Sequence, residues 1–494
     1  ATLSPAPRHA RHAPERTRLY ALVRDYYDAF LARLAAEGRA LPDYVREEFE
    51  EYLRCGRLEH GFLRVRCEAC HAERLVAFSY KRREFCPICG ARRMAESARL
   101  LVEDVFGARP VRQWVLSFPY PLRFLFASRP EAIGPVLGIV YRAIAGWLVD
   151  QAGLARARAQ SGAVTLIQRF GSALNLNVHF HMLFLDGVYE EDCGRWRLRY
   201  ARAPTSAQLA QLTDTIARRV CRHLQRTGYL EGDDDGAFLS DLSARDDGLD
   251  AVRMSSITYR IATGPHAGRK VTTLQTLPGD AGPIEGEAGK VGGFSLHAGV
   301  SASAWESDKL ERLCRYISRP AISDKRLTLT AQGQVRYALK TPWRDGTTHV
   351  EWAPLDFLAR LAALVPPPRA HLTRFHGIFA PNATLRAQLT PAGRGKRPDA
   401  NASTESTNER EDASADHRAP AEKRAAMTWA QRLKRVFGID VHTCAHCGGA
   451  VRIVAAVEDP LAIRQILAHF DKHGALPQAH YRPATRAPPH AVAA

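Results

Sequence analysis

Two histidines lie two residues apart in a strongly apolar stretch of the chain, residues 175–187. In a β-strand, side chains at i and i+2 leave the same face with Cα atoms about 6.5 Å apart, so His179 and His181 could bind one metal ion. The apolar neighbours, such as Phe180 and Met182, would occupy the opposite face. A buried imidazole needs partners for its nitrogens, and a shared divalent ion satisfies two rings at once. The stretch therefore predicts a strand with a metal site; the alternative is a pair of hydrogen-bonded core histidines.

Tyr316 stands out among the fifteen tyrosines because cations flank it in the sequence. The pattern predicts a short helix that must end before Pro320, since the residue before a proline disfavours helical geometry. On that helix Arg312 at i−4 and Arg319 at i+3 share the face of the tyrosine. Flanking cations favour both a bound phosphate and the phenolate form of the side chain. Tyr316 is therefore a candidate nucleophile; the alternative is a tyrosine packed on a sheet beside solvated arginines.

The composition indicates a basic globular protein with several domains. With 494 residues, the chain is too long for one core and should form roughly two to four domains. A net charge of +17 indicates a polyanionic partner, and nucleic acid is favoured over a membrane surface. No stretch approaches about 18 uninterrupted apolar residues, so no membrane span is expected. In such a protein, a metal held by the two histidines would suit phosphodiester chemistry.

Cysteine pairs indicate a zinc-binding segment near the start of the chain. Cys67-x2-Cys70 and Cys86-x2-Cys89 are separated by 15 residues, the spacing of two knuckles that bring four thiolates to one tetrahedral zinc. A strand hairpin is expected between them, through residues 75–80. Clustered thiols without an export signal favour metal ligands in a reducing cytoplasm over disulfides. Two further candidates precede the first knuckle and would complete a second site or replace a ligand: Cys55 and His60.

Another Cys-x2-Cys motif, Cys444 and Cys447, lies in a small module near the end of the chain. The pattern predicts a helix at 428–437, a strand at 451–457 and a helix at 460–469. Four ligands are usual for structural zinc, so one cysteine pair leaves the site incomplete, and a structural turn is the alternative. The remaining ligands would come from histidines of the same module: His442, His446, His469 and His473.

The order of apolar segments and turns predicts an α+β fold, in which hairpin-connected strands form a sheet and helices pack on one face. The expected strands are 112–118, 164–170, 176–185, 195–200, 256–262, 326–330, 335–339 and 349–352, and the expected helices between them are 129–152, 206–226, 305–318 and 355–364. The expected domains are a disordered N-terminal arm at 1–15, a helical zinc-binding domain at 16–105, the domain of the histidine pair at 106–389, a disordered linker at 390–425, the small cysteine module at 426–475 and a disordered tail at 476–494.

Five motifs in a fixed order carry a resemblance to a known family. They are Phe-Cys-Pro-Ile-Cys-Gly-Ala-Arg-Arg-Met at 85–94, Pro-Val-Arg-Gln-Trp-Val-Leu-Ser at 110–117, Gln-Arg-Phe-Gly at 168–171 leading into His-Phe-His at 179–181, Arg-Tyr at 315–316, and Phe-His-Gly-Ile-Phe-Ala-Pro-Asn at 375–382. From about residue 16 to residue 470 the chain resembles the rolling-circle transposases of the insertion sequence 91 family. These are HUH single-strand endonucleases, named for two histidines around a hydrophobic residue. The resemblance implies an HUH-type antiparallel sheet core with packed helices, an N-terminal zinc-binding domain and a small zinc-ribbon-like module at the C-terminal end.

The resemblance also implies a metal-dependent transesterase that acts on single-stranded DNA at element ends and at the target. Tyr316 would attack one strand, leaving a 5′-phosphotyrosine link and a free 3′-OH. His179 and His181 would bind Mg²⁺ or Mn²⁺, while the knuckle cysteines hold structural Zn²⁺. Gln168 is the expected third ligand, with Asp186 second; otherwise Gln168 is a strand-end hydrogen bonder. The cations expected to serve catalysis are Arg315 and Arg319, and those expected to contact DNA are Arg92, Arg93 and Arg312.

Some members of this family carry two tyrosines four residues apart. Arg312 stands four positions before Tyr316, so the chain resembles the single-tyrosine branch. Two other functions are compatible with the sequence. A plasmid replication initiator or conjugative relaxase would use the same chemistry at a plasmid origin, and a zinc-dependent DNA-binding regulator would explain the charge and the knuckles without catalysis. For the transposase, a bacterial cytoplasmic location at the nucleoid is expected.

Overall fold

The computed structural model describes residues 14–79, 85–232, 237–240, 246–277, 288–391, 444 and 446–472. Several expected segments lie outside the described residues: the arm up to residue 13, nearly all of the linker at 390–425, the helix at 428–437 and the tail at 476–494. The same holds for two candidate zinc ligands, His442 and His473.

Runs of strands and runs of helices follow one another along the described chain. The helices are α1 Arg18–Ala36, α2 Asp43–Arg54, α3 Pro87–Arg99, α4 Tyr120–Ser128, α5 Ile133–Gln151, α6 Ser206–Arg226, α7 Asp250–Ile257, α8 Ser307–Ile317, α9 Pro354–Leu364, α10 Arg386–Leu389 and α11 Pro460–Lys472, and Leu100–Phe106 continue α3 as a π-helix. The strands are β1 Phe62–Cys67, β2 Glu73–Ala77, β3 Val111–Ser117, β4 Ala159–Gln160, β5 Gly162–Phe170, β6 Leu176–Leu185, β7 Gly187–Asp192, β8 Arg195–Tyr200, β9 Leu230–Gly232, β10 Ala237–Leu239, β11 Thr272–Gln275, β12 Ala288–Val291, β13 Phe294–Ala302, β14 Leu327–Leu329, β15 Val335–Ala338, β16 Thr347–Trp352, β17 Thr373–Gly377 and β18 Val451–Val457.

The largest sheet has six strands in the order β12-β13-β3-β6-β5-β17, and each neighbouring pair is antiparallel. Strand β6 carries both histidines and lies between β3 and β5. Its register places His179 opposite Ser117 on one side and Gln168 on the other, and His181 opposite Val115. Directly opposite residues of an antiparallel pair point to the same face. The two imidazoles and the Gln168 side chain therefore share one face of the sheet.

The two faces of this sheet pack against different elements. Phe180 and Met182 of β6 belong to a large hydrophobic core that also contains Trp114. On the face of the histidines, Leu183 belongs to a second core cluster together with residues of α8. The buried stripe of α8 has helical spacing: Leu310, Leu313, Cys314 and Ile317. The alternation of side chains along β6 thus brings α8, the helix of Tyr316, onto the histidine face.

A separate three-stranded sheet, in the order β18-β1-β2, joins an N-terminal hairpin to a C-terminal strand. Strands β1 and β2 form a hairpin with the first cysteine knuckle at its turn; of the hairpin predicted through residues 75–80, residues 75–77 belong to β2 and Tyr80 lies outside the described residues. Strand β18 pairs antiparallel with the other edge of β1, from Phe62 opposite Val457 to Cys67 opposite Val451. An apolar cluster beneath this sheet contains residues from both parts of the chain: Leu58, Phe62, Val457, Ile463 and Leu467. The C-terminal strand and α11 therefore complete an N-terminal structure.

The mixed fold of helices and strands expected from the sequence is confirmed, and β6, β8 and α6 have the predicted bounds. The strand expected at 256–262 is wrong, because α7 covers Asp250–Ile257. Val252 and Ile257 are buried in the core on α7, and this packing overrides the β-branched and aromatic character of the local sequence. Strand β13 is absent from the sequence-based prediction, although Phe294, Leu296 and Ala298 alternate with polar residues; the alternation stops at Gly299, where the register with β3 shifts.

Among the described residues one helix, Pro130–Gln151, is long and apolar enough to cross a membrane by length and composition. Half of its most apolar window is buried inside the protein. Val136, Val140, Ile144 and Leu148 recur every four residues and all belong to the main core. A core helix passes the same test, so this helix is weak evidence for a membrane span.

Candidate active site and metal centres

His179 and His181 point their Nε2 atoms at each other on the central strand β6, 3.1 Å apart. The Nδ1–H of His179 donates to the carbonyl oxygen of Asn177 at 2.8 Å, which leaves Nε2 of that ring with its lone pair free. The Nδ1 of His181 lies 2.7 Å from the Nε2 of Gln113 on the neighbouring strand β3. Two ligands at about 2.1 Å from an octahedral ion are about 3.0 Å apart. The distance between the two Nε2 atoms fits shared coordination of one ion.

Both rings are buried, and their protonation states suit metal binding. Burial, with the positive charges of Arg319 and Arg123 and against the raising effect of the hydrogen bond to Asn177, lowers the pKa of His179 to about 4. Burial also lowers the pKa of His181 to about 2, helped by His179 and Arg319. Each ring is therefore neutral near pH 7, and the neutral imidazole is the form that binds a metal.

Gln168, on β5, lies on the histidine face and is paired with His179 of β6. Its Nε2 donates to the carbonyl oxygen of Ile317 at 2.7 Å, at the end of α8. The amide nitrogen is thereby fixed, and the amide oxygen is the atom left for a hard cation. The hydrogen-bonding role that the sequence offers for Gln168 is thus present, and the residue lies next to the histidine pair.

Asp186, the second choice for the third ligand, is not in a position to serve. It follows His181 by five residues, a distance of roughly 17 Å along a strand. Both of its carboxylate oxygens accept hydrogen bonds from Arg112 at 2.8 Å. A different oxygen lies closer: Asn177 precedes His179 by two residues on the same face, and its Oδ1 is buried without a hydrogen-bond partner among the described residues.

Tyr316 lies on the last turn of α8 and is 40% exposed, so its phenol is accessible to a ligand. The guanidinium of Arg319 lies 4.2 Å from the centre of the tyrosine ring, and its Nη1 donates to the Tyr316 carbonyl oxygen at 2.6 Å. The ammonium nitrogen of Lys340 lies 4.3 Å from the same ring centre. Two cations thus flank the phenol. Lys340 is distant in sequence and follows β15, and no local sequence signal identifies it.

Arg319 links the tyrosine to the histidine pair. Its guanidinium lies over the rings of both Tyr316 and Phe170, at 4.2 Å and 5.3 Å, and its charge lowers the pKa of both histidines. Arg315, the other cation expected to serve catalysis, forms an ion pair with Glu311 at 2.5 Å on the exposed side of α8. The structure therefore brings Arg319, and not Arg315, to the side of the tyrosine that faces the sheet.

The expected DNA-contacting arginines lie on two adjacent helices. Arg312 is exposed on α8, one turn before Tyr316. Arg92 and Arg93 are half-buried on α3, which packs against α8. At Gly90, near the start of α3, an added Cβ would lie 2.6 Å from the Cβ of Pro320, so glycine permits this close approach. The helix that begins within the second cysteine knuckle and contains Cys89 thus lies beside the end of the tyrosine helix.

The cysteines group differently from the pairing that their spacing predicts. The Sγ atoms of Cys67 and Cys70 lie within 4.8 Å of those of Cys444 and Cys447, at the tip of the hairpin β1–β2. A second, buried group contains three cysteines: Cys55, Cys86 and Cys89. The predicted single site for both N-terminal knuckles is therefore wrong, because the hairpin carries the first knuckle away from the second. His60 is exposed and belongs to neither group, and the same holds for His469.

The three-cysteine group lies between the N-terminal helices and α3. The Sγ atoms of Cys55 and Cys89 are 3.4 Å apart, and the Oγ of Ser79 lies 3.3 Å from the Sγ of Cys89. Burial and the neighbouring thiols hold the pKa of Cys86 above its usual range, with its contacts to Cys55 and Cys89 as the leading cause. Three thiols in such close contact, beside a hydroxyl, form a set of ligands that suits an ion with a preference for thiolates.

Two segments of the chain match known protein families. Residues 22–118 match the family described as "Transposase zinc-binding domain", from the insertion sequence 91 transposases, and residues 162–386 match the family described as "Putative transposase". No curated protein and no solved structure matches the chain significantly. The first match contains the five N-terminal cluster cysteines, and the second contains the histidine pair and Tyr316. The zinc-binding match and the cysteine clusters together support structural zinc. The chain therefore resembles the transposases of the insertion sequence 91 family, and its matched domains indicate a transposase that acts on DNA.

Proposed function

We propose that the chain is an HUH-type transposase that cuts and rejoins single-stranded DNA through a 5′-phosphotyrosine on Tyr316. One observation carries the proposal: α8, the helix of the exposed Tyr316, packs on the sheet face of His179 and His181 and is tied to it by the hydrogen bond from Gln168 to Ile317. A nucleophile and a metal-binding pair on one face are the minimum that metal-assisted transesterification requires.

In this proposal His179, His181 and Gln168 hold Mg²⁺ or Mn²⁺. The side-chain oxygen of Asn177, which has no hydrogen-bond partner among the described residues, is a further ligand. Hard divalent ions prefer oxygen ligands, which favours the two amide oxygens beside the neutral rings. When bound, the ion would act as a Lewis acid on the scissile phosphate. Gln113 would orient His181. When the side-chain amide of Gln113 is rotated by half a turn, its oxygen accepts a hydrogen bond from the Nδ1–H of His181. The Nε2 of His181 is then left for the ion.

The covalent step conserves the phosphodiester bond energy. The phenolic oxygen of Tyr316 forms a bond to the phosphorus as the bond from phosphorus to the 3′ oxygen breaks. The phenol loses its proton and the departing oxygen gains one, giving a 5′-phosphotyrosine and a free 3′-OH. Arg319 and Lys340 offset the negative charge on the phenolate and on the phosphate. In the reverse step a 3′-OH attacks the phosphotyrosine and releases Tyr316, so no nucleotide triphosphate is consumed.

The proposal is tested by incubating the protein with labelled single-stranded oligonucleotides from the element ends in the presence of Mg²⁺. A covalent adduct that survives denaturation and disappears after protease treatment is expected. A zinc-dependent regulator would give none, since it binds without forming a phosphotyrosyl bond. A replication initiator or relaxase would instead form the adduct with a plasmid origin and not with element ends.

Gln113→Leu is expected to weaken Mn²⁺ binding by about tenfold to a hundredfold, because the hydrogen bond that orients His181 is lost. Gln113→Glu keeps an acceptor for the Nδ1–H and is expected to retain the affinity. The measurement is a Mn²⁺ titration followed by electron paramagnetic resonance. Equal losses in the two variants would mean that an acceptor at this position does not orient His181 and would remove Gln113 from this role.

Binding of single-stranded DNA is expected to weaken steeply with salt, since a chain with 17 surplus positive charges should neutralise several phosphates. Each phosphate contact to a single strand contributes about −0.7 to the slope of log K against log salt. Arg312→Ala should therefore make the slope shallower by about that amount. Arg218→Ala, on the exposed side of α6, is the control and should leave the slope unchanged. An unchanged slope in Arg312→Ala would exclude that residue from phosphate contact.

A further inference from the structure

We infer that one zinc ion joins the two distant ends of the folded chain, held by Cys67 and Cys70 of the N-terminal hairpin and by Cys444 and Cys447 just before β18. The two halves of this site are more than 370 residues apart in sequence, with separations of 374 and 380 for the closest sulfur pairs. The N-terminal zinc-binding domain would then be incomplete without the C-terminal segment. This inference does not depend on the proposed catalytic function.

The sulfur geometry supports a four-thiolate site. The Sγ atoms of Cys67 and Cys447 are 3.5 Å apart, as are those of Cys70 and Cys444. Four thiolates at about 2.3 Å from a tetrahedral zinc place their sulfur atoms about 3.8 Å apart. All four sulfurs lie within 4.8 Å of one another, so an ion could contact each without movement of the backbone.

Backbone amides already point at the sulfur atoms, as expected around thiolates. The amide of Cys70 donates to the Sγ of Cys67 at 3.5 Å, and the amide of His446 donates to the Sγ of Cys444 at 3.4 Å. Donors of this kind stabilise the charged form that zinc requires.

The polypeptide around the site is shaped for contact between the two knuckles. A Cβ at Gly449 would lie 2.8 Å from the Cβ of Ala69 and 3.3 Å from the Sγ of Cys67, so the C-terminal turn packs directly on the N-terminal one. The register of β18 on β1 begins at this point, with Cys67 opposite Val451. The strand pairing and the four sulfurs thus specify the same arrangement independently.

The four-cysteine site is tested by measuring the zinc content of full-length variants in which pairs of cysteines are replaced by serine. Cys67→Ser with Cys70→Ser should lose one equivalent of zinc, and Cys444→Ser with Cys447→Ser should lose the same equivalent. All four substitutions together should lose no more than one. Cys86→Ser with Cys89→Ser belongs to the other cluster, so its loss should add to that of either pair. The matched control is Cys193→Ser, an exposed cysteine outside both clusters, which should lose none.

Additive losses from the Cys67/Cys70 and Cys444/Cys447 pairs would overturn the inference, since separate sites lose separate ions. Equal, non-additive losses from the Cys67/Cys70 and Cys86/Cys89 pairs would overturn it in favour of one N-terminal site. A second readout covers variants that fold poorly. With a protease site inserted between residues 391 and 444, the unsubstituted protein should keep its C-terminal fragment after cleavage and release it when zinc is chelated. Release of the fragment while zinc is present would also contradict a joining ion.

Discussion

Tyr316→Phe is expected to abolish the covalent protein–DNA adduct, with a loss of at least about a thousandfold, because the variant lacks the attacking oxygen. The ring and its contacts with Arg319 and Lys340 are kept. Binding of Mn²⁺ and of single-stranded DNA should therefore stay within about twofold of the original protein. The adduct is measured on a denaturing gel with labelled DNA, and binding is measured by fluorescence anisotropy.

The control for this variant is Tyr200→Phe, which removes the hydroxyl of another exposed tyrosine, on β8. It should form the adduct at the original rate. Adduct formation by Tyr316→Phe at that rate would assign the nucleophile to a different residue. Loss of DNA binding together with the adduct would mean that the hydroxyl serves the structure of α8 and not the chemistry.

Replacing both His179 and His181 by alanine is expected to remove Mn²⁺ binding and to lower the rate of adduct formation by about a hundredfold or more, since a Lewis acid contributes several kcal/mol at a phosphate. The phenol of Tyr316 is untouched, and the zinc content should not change because the cysteine clusters are separate. Adduct formation is followed as a time course at saturating Mg²⁺, and zinc is measured on the same samples.

His376→Ala is the matched control for the histidine variant. His376 is a half-buried imidazole on the same sheet, but its Nε2 lies 3.2 Å from the Oγ1 of Thr165 and its ring stacks on Tyr141. Thr165 is paired with Met182, which belongs to the opposite face of the sheet. His376→Ala should therefore bind Mn²⁺ normally. An unchanged rate of adduct formation in the double histidine variant would remove the metal from the proposed mechanism.

The strand of the histidine pair is predictable from the sequence because its signal is local. Alternation with a period of two determines which side chains share a face, so it places His179 and His181 on the same face. The predicted bounds of the strand are those of β6 in the structure. Gln168 is also accessible to such reasoning, because the preceding strand pairs directly with β6. The short helix that ends before Pro320 and carries Tyr316 is likewise predictable, since α8 covers Ser307–Ile317.

Features that depend on long-range contacts are not predictable in this way. Lys340 reaches Tyr316 only because the segment after β15 folds back over α8. The grouping of the cysteines is decided by the pairing of β18 with β1, which spacing within either knuckle does not encode. Gln113 contacts His181 along a diagonal between strands, and its role needs the register of β3 and β6. In each case the sequence offers the residue and the tertiary pairing selects its partner.

The most direct measurement of the central claim is the identity of the residue that becomes linked to DNA. The adduct formed with single-stranded DNA and Mg²⁺ is digested with trypsin and nuclease, and the nucleotide-bearing peptide is sequenced by mass spectrometry. Cleavage after Arg312 or Arg315 and after Lys325 should give a peptide that contains Tyr316, with the nucleotide on its phenol through a 5′ phosphate. A nucleotide attached to any other residue, or through a 3′ phosphate, would contradict the proposed mechanism.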